Sequence, residues 1–396
     1  MVRTTVLLYF FLALLFQGLT WTSPVIAQGI KVGVILPLTG KLARFGEIEK
    51  KSFMMAVDEI NKEGGINGKK IDVIIENTAG RAHDGRLTVE KLILQDGVVV
   101  IGGGYSSSVT WAAAEVAQGK KVPFLVSTAS ADKITELGWE YIFRLNPPVS
   151  EHPRALASFL REVANIKTVA IIYEIGPGEF GARKFSRLCR TLGLRILMKD
   201  GYKAGTMDFR PLLSKVKGSQ PDLVYLISQA SDAALLMSQA KDVGLSPKLF
   251  VGRGPGFTSS EFRKTAGEAS EYVMSATLWA PSVPYPGAKD YTHRFLEKYY
   301  FAPEYHGAEA YAAMYVIADA LKRAKSASPR DVRDALAETD TMTAFGPVKF
   351  VSYGKKTQQN ELPTLLVQWI NGKLETVWPR KVASAKYIYP LPKWAD

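Results

Sequence analysis

At 396 residues the chain is long enough for two domains of ordinary size, and its 47% hydrophobic and 22% charged content is that of a folded globular protein. The formal net charge of +12 invites a nucleic-acid reading. However, Lys and Arg are scattered singly or in pairs, as at Lys120-Lys121 and Arg323, so the charge reads as a solvated surface and no nucleic-acid partner is expected. A single cysteine, Cys189, excludes an intramolecular disulfide and reads as a buried structural thiol on a helical face.

Met1-Val-Arg3 is a short basic start, Val6 to Leu19 is nearly all apolar, and Pro24-Val-Ile-Ala27 resembles a small-residue cleavage site. Residues 1–27 are therefore expected to be a cleaved secretory leader, its apolar part shorter than the ~20 residues a membrane span needs. An exported chain without disulfides fits a bacterial periplasm.

Strand and helix patterns then alternate. Lys31–Leu36 is a buried-strand run, and Ile48–Ile60 is helical, with Phe53, Ala56, Val57 and Ile60 on one face. Ile71–Ile75 is a strand and Leu87–Leu94 a helix. Val98–Ile101 ends in three glycines and Tyr105-Ser-Ser-Ser108, and an Ala-rich helix follows to Gln118. Pro123–Val126 ends in Ser127-Thr-Ala-Ser130. In an open parallel sheet these two small-hydroxyl loops share the carboxyl edge, where helix N-termini offer N–H groups to an anion, so they read as half of a ligand site. After Glu140–Arg144, Asn146-Pro-Pro148 breaks the pattern and marks a lobe boundary.

The alternation restarts with a helix capped by Ser150 and running to Val163. Strands are expected at Thr168–Tyr173, Leu194–Leu197, Leu223–Ile227, Lys248–Val251 and Tyr272–Ala276. Helices are expected at Gly181–Leu192, Phe209–Val216 and Ala233–Val243. Three helices follow, Ala288–Tyr299, Ala308–Lys322 and Arg330–Ala337, the last with Ser328 as cap and Pro329 at its first position. Phe350 and Pro363–Trp369 are late strands, and the Trp378–Trp394 tail is aromatic without periodicity. The fold class is α/β, two lobes with mainly parallel sheets.

Enzyme signatures are scarce. Gly104-Tyr-Ser-Ser-Ser108 lacks the final glycine of a nucleophile elbow, and the four histidines show no metal-ligand spacing. Gly176-Pro-Gly-Glu-Phe-Gly181 matches a dinucleotide-binding fingerprint, but it opens the second lobe of an exported chain. The favoured reading is a loop that carries Phe180 into a cleft. No catalysis, metal or cofactor is expected.

Val32-Gly-Val-Ile-Leu-Pro-Leu-Thr-Gly40, Phe45-Gly46, Ala56-Val-Asp-Glu-Ile-Asn61, Gly64-Gly-Ile-Asn-Gly68, Ile101–Ser108, Val126–Ser130 and Gly307–Ala313 together resemble the leucine/isoleucine/valine-type periplasmic binding proteins of ABC transporters. The resemblance covers nearly the whole mature chain. It implies the type I fold, two Rossmann-like lobes joined by three hinge crossovers with the ligand clamped between them. The crossovers are expected near Pro148, near Trp279 and after Phe350, giving lobe 1 residues 28–148 and 281–350, and lobe 2 residues 149–280 and 351–396.

The resemblance also implies a site. Phe45 brings an aromatic ring over the ligand, Tyr105, Ser106 and Ser107 hold its carboxylate, Thr128, Ala129 and Ser130 add a carbonyl and a hydroxyl, and Phe180 closes from lobe 2. Two departures matter. Gln229 stands where amino-acid binders place an aromatic residue, and Gly254 stands nearest the position of the glutamate that takes the α-ammonium. A buried ammonium without its acid costs several kcal/mol. Arg253 offers a charge-assisted bond to an anion, and Tyr305 adds aromatic surface. The expected protein is a monomer that hands a small non-amino-acid carboxylate, favourably an aromatic one, to an ABC permease. The alternatives are a branched-chain or aromatic amino acid, with Glu309 or Glu179 serving the ammonium, and a ligand-sensing module acting through a protein partner.

Overall fold

The computed structural model describes residues 29–253 and 255–394. The leader expected at residues 1–27 and the site position Gly254 lie outside the described residues. Among the described residues, no helix is long and apolar enough to cross a membrane.

The chain begins with β1 (Ile30–Leu36), α1 (Ala43–Lys62), β2 (Ile71–Asn77), α2 (Ala82–Leu94), β3 (Val100–Gly103), α3 (Ser107–Lys120), β4 (Phe124–Val126) and β5 (Ile142–Arg144). It crosses into a second lobe of α4 (Arg154–Glu162), β6 (Thr168–Glu174), α5 (Glu179–Thr191), β7 (Arg195–Tyr202), α6 (Arg210–Ser219), β8 (Leu223–Ile227), α7 (Ala230–Asp242), β9 (Leu249–Arg253), α8 (Ser260–Ala266) and β10 (Met274–Thr277). It returns through α9 (Ala288–Tyr299), α10 (Glu304–Arg323), α11 (Pro329–Ala337), β11 (Asp340–Thr343), β12 (Gly346–Tyr353) and β13 (Lys356–Asn360). It ends in the second lobe with β14 (Leu365–Ile370) and β15 (Lys373–Trp378).

The first sheet has the order β11-β12-β13-β5-β4-β3-β1-β2 and the second β15-β14-β10-β9-β8-β6-β7. Apolar side chains from both faces of each sheet are buried under helices: α1, α9 and α10 cover one face of the first sheet, and α2 and α3 the other. In the second, α6, α7 and α8 lie on one face, and α4 and α5 on the other. Strands buried on both sides read as continuous apolar runs, which is why the parallel core strands were legible.

Two expectations need correction. The expected division at 350/351 falls inside β12; β13 still belongs to the first sheet, pairing parallel with β5 at Gln359 and Arg144. The third passage between lobes therefore lies between β13 and β14. The polar run Lys356-Thr-Gln-Gln-Asn360 carries no hydrophobic signal, yet Gln359 and Asn360 are buried. Ser150 does not cap α4, whose first residue is Arg154 and whose N-cap is Pro153. The Ser150 hydroxyl donates instead to the Asp132 carboxylate. Ser328 does cap α11, its oxygen accepting from the Asp331 N–H at 3.2 Å. Cys189 is buried, and desolvation pushes its thiol up to about 12.

Candidate functional site

On the first lobe, the carboxyl ends of β3 and β4 are tied together: the Ser127 N–H donates to the Gly103 carbonyl at 2.9 Å and the Ala129 N–H to the Gly104 carbonyl at 2.8 Å. Gly103 and Gly104 have φ of 94° and 87°, and a Cβ at Gly103 would lie 2.5 Å from the Ile35 carbonyl oxygen. Only glycine turns the chain there at that distance. The turn delivers Ser106 to the N-cap of α3, where its hydroxyl lies 3.3 Å from that of Ser108 and makes no capping bond. The Ser107 hydroxyl accepts from the Ala131 N–H at 3.1 Å, and so joins the two loops. The Thr128 carbonyl accepts from the Asn146 amide at 2.6 Å, and the Ser130 carbonyl from the Val149 N–H at 2.7 Å, linking this edge to the first crossover.

Beside these loops the rings of Phe45 and Tyr105 stack with centroids 5.3 Å apart, and both pack on His306, whose ring lies tilted against Tyr305 with centroids 3.8 Å apart. Arg44 pairs with Glu304 at 2.5 Å. Beneath, Glu49 of α1 and Glu309 of α10 are fully buried beside Thr128, and within strict hydrogen-bond geometry their carboxyl oxygens have no partner among the described residues. Burial pushes Glu49 up to about 8 and raises Glu309 well above the carboxylate range, the two acids repelling each other. Protonated, they present no charge to this wall.

The second lobe faces a cavity of about 860 Å³. Its wall is formed by the carboxyl ends of β6, β8, β9 and β10, the first turn of α5 and the crossovers, with Arg44, Phe301, Glu304 and Tyr305 approaching from the first lobe. Arg253, the last residue of β9, lines it. Its guanidinium packs against α5 where Gly181 leaves room, since a Cβ there would lie 2.1 Å from a guanidinium nitrogen. Arg253 makes no ion pair among the described residues, whereas Lys and Arg elsewhere repeatedly do. His152, also on the wall, is held down to about 4 by desolvation, and Arg253 opposes its protonation further. Phe180 stands at the mouth, half exposed, with the Lys184 ammonium 5.4 Å from its ring.

The cavity therefore brings together Phe180, Gln229, Arg253 and Tyr305. Phe45, Tyr105, Ser106, Ser107, Thr128, Ala129 and Ser130 are grouped on the first lobe but do not line it. Gln229 serves as the N-cap position of α7. The fingerprint-like Gly176–Gly181 loop is a tight turn: Glu179 opens α5 and its carboxylate pairs with Arg183 at 3.3 Å. Sequence reasoning missed Arg44, His152, Glu174, Phe301 and Glu304. Glu174 had a signal, being the acidic last residue of a buried strand. His152 had one too, in the proline-rich break after Asn146.

A family model described as periplasmic binding protein matches residues 29–373. A Leu/Ile/Val-binding protein homolog 7 of Brucella melitensis is 28% identical over 377 residues, covering 91% of this chain and 94% of the relative. The branched-chain amino acid transporter substrate binding protein LivJ of Streptococcus pneumoniae, in complex with isoleucine, superposes with a TM-score of 0.71 at 25% identity, over 92% of this chain and all of that one. A solute binding protein of an R. palustris ABC transporter, in complex with benzoate, shares the fold with a TM-score of 0.69 at 18% identity, over 91% and 98% of the two chains.

Proposed function

The chain belongs to the periplasmic binding protein family of ABC transporters, and from that premise we propose that it captures a small non-amino-acid carboxylate, an aromatic acid above all, and delivers it to an ABC permease. The observation that carries this reading is Arg253, a guanidinium on the cavity wall without an ion-pair partner among the described residues. A partly buried guanidinium without a counter-charge is open to a ligand carboxylate, which would gain a charge-assisted bond there. Phe180 and Tyr305 offer faces to an apolar ring.

In this reading the leader at residues 1–27 takes the chain to the periplasm. The acid docks on Arg253, and the Ser106 hydroxyl and the N–H groups opening α3 approach it as the lobes close. The acids that would have served an α-ammonium do not support the amino-acid alternative. Glu309 is sunk inside the first lobe and Glu179 is paired with Arg183, and neither lines the cavity.

A thermal-shift screen of residues 28–396 against aromatic acids, aliphatic acids and amino acids tests the reading. A ligand at 100 times its Kd adds ~2.7 kcal/mol of stability. Shifts with acids but not with leucine or phenylalanine are expected. Arg253→Gln should weaken the binding of the acid found by ~1.5–3 kcal/mol, roughly ten- to a hundredfold. A shift with leucine alone overturns the reading.

A further inference from the structure

Glu174 is the last residue of β6, lines the cavity, is 7% exposed, and its carboxylate makes neither a hydrogen bond nor an ion pair among the described residues. An acid that lines an open cavity without a protein partner is free to accept from a donor on a ligand. Its neighbours supply none. Directly after β8 the Ser228 hydroxyl is engaged with the Tyr202 hydroxyl at 2.5 Å and with the Gln229 carbonyl at 3.2 Å. Asp232, in the first turn of α7, adds a second negative charge whose repulsion, after desolvation, raises the Glu174 pKa.

The strand register fixes where this acid stands relative to Arg253. Tyr173 pairs with Ile227, and Ile227 pairs with Arg253, along three adjacent parallel strands. Glu174 follows Tyr173, so the acid and the guanidinium spring from the same edge of the sheet, two strand spacings or about 10 Å apart. They also leave the sheet on opposite faces, Arg253 toward Gly181 and Tyr225 on the α5 side, and Glu174 toward Ser228 and Tyr202 on the α7 side. They form no ion pair with each other. An α-amino acid carries its ammonium and carboxylate on one carbon, whereas here the acid and the guanidinium stand on different strands and leave the sheet on opposite faces.

We propose that the cavity selects a carboxylate that carries a hydrogen-bond donor, a hydroxyl or an amine, at the end remote from the acid, with Arg253 holding the acid and Glu174 accepting from the donor. Glu174 is then a specificity-determining residue, separate from the loops that the family resemblance assigns to the ligand. This inference rests on the carboxylate reading above, and goes beyond it by naming a second functional group on the ligand.

Calorimetric titration with benzoate and 4-hydroxybenzoate tests it, because the two acids differ only in a donor opposite the carboxylate. The wild-type chain is expected to bind 4-hydroxybenzoate at least tenfold more tightly. In Glu174→Met the preference should fall to within about twofold, with benzoate affinity retained, while Glu174→Gln, whose amide carbonyl still accepts, should keep part of it. Equal affinity of the wild-type chain for the two acids overturns the donor pole and leaves the carboxylate reading standing. Failure of both acids to bind, with amino acids binding, overturns the carboxylate reading and the donor pole with it.

Discussion

Two buried acids, Glu49 and Glu309, set an alkaline limit on the fold. Glu49 titrates near 8 in the folded chain against an ordinary 4.5, so it stays protonated in the fold and ionises in the unfolded chain. The stability this leaves intact is fully present below pH 4.5 and is lost as pH rises through about 8. His152 acts on the other side: held down to about 4, it is neutral in the fold, and its contribution is present above pH 6.5 and lost as pH falls through about 4. Urea unfolding across pH 4.5–8.5 should show stability declining toward the alkaline end. Glu49→Gln should flatten that limb by on the order of a few kcal/mol and leave the acid limb as it was; a Gln variant with the wild-type alkaline slope would remove Glu49 as its source. The position was legible in retrospect, since Glu49 lies one turn before Phe53 on the same apolar stripe. The serine loop makes a second residue-scale claim. Ser106→Ala should weaken the binding of a carboxylate ligand by ~1.5–3 kcal/mol, and unchanged affinity in the same titration would take this loop out of the site.

At the scale of elements, the buried parallel strands were legible because apolar runs have no other place to go, and β13 was not because its burial is polar. Its Gln359 carboxamide oxygen accepts from the Arg144 guanidinium at 2.6 Å, and its amide donates to the Asn146 and Asn360 carbonyls. Arg144 is fully buried, and its other nitrogens reach the Ala131 carbonyl at 2.6 Å and the Thr135 hydroxyl at 2.9 Å. The strand is thus held by side-chain hydrogen bonds to the residues around the first crossover, and no hydrophobic period records that. Gln359→Ala leaves a buried guanidinium short of an acceptor and should cost about 2–3 kcal/mol of stability, read from the urea midpoint. A midpoint shift of under half that would mean that water replaces the lost acceptor. The Gly176–Gly181 turn shows the converse limit. Its glycine spacing was legible, but the reason for Gly181, room for Arg253, comes from a strand seventy residues on and could not be read locally.

For the whole molecule, composition and alternation sufficed for two α/β lobes, while the cavity's membership depended on which ends of which strands meet. Ligand contacts on both walls favour the closed arrangement only by the difference in affinity between open and closed forms. Small-angle scattering should therefore show a smaller radius of gyration at saturating ligand, and Arg253→Gln should need proportionately more ligand for the same contraction. No contraction at saturation would mean that the second lobe holds the ligand unaided.

The pairing of β5 with β13 joins residues 215 apart in the chain. During synthesis the inner edge of the first sheet waits for that partner, at ribosomal rates of 5–20 residues per second, for roughly 10–45 s. A nascent chain cannot complete either lobe early, because each is assembled from two separated stretches. About nine-tenths of the chain must be made before that pairing can form.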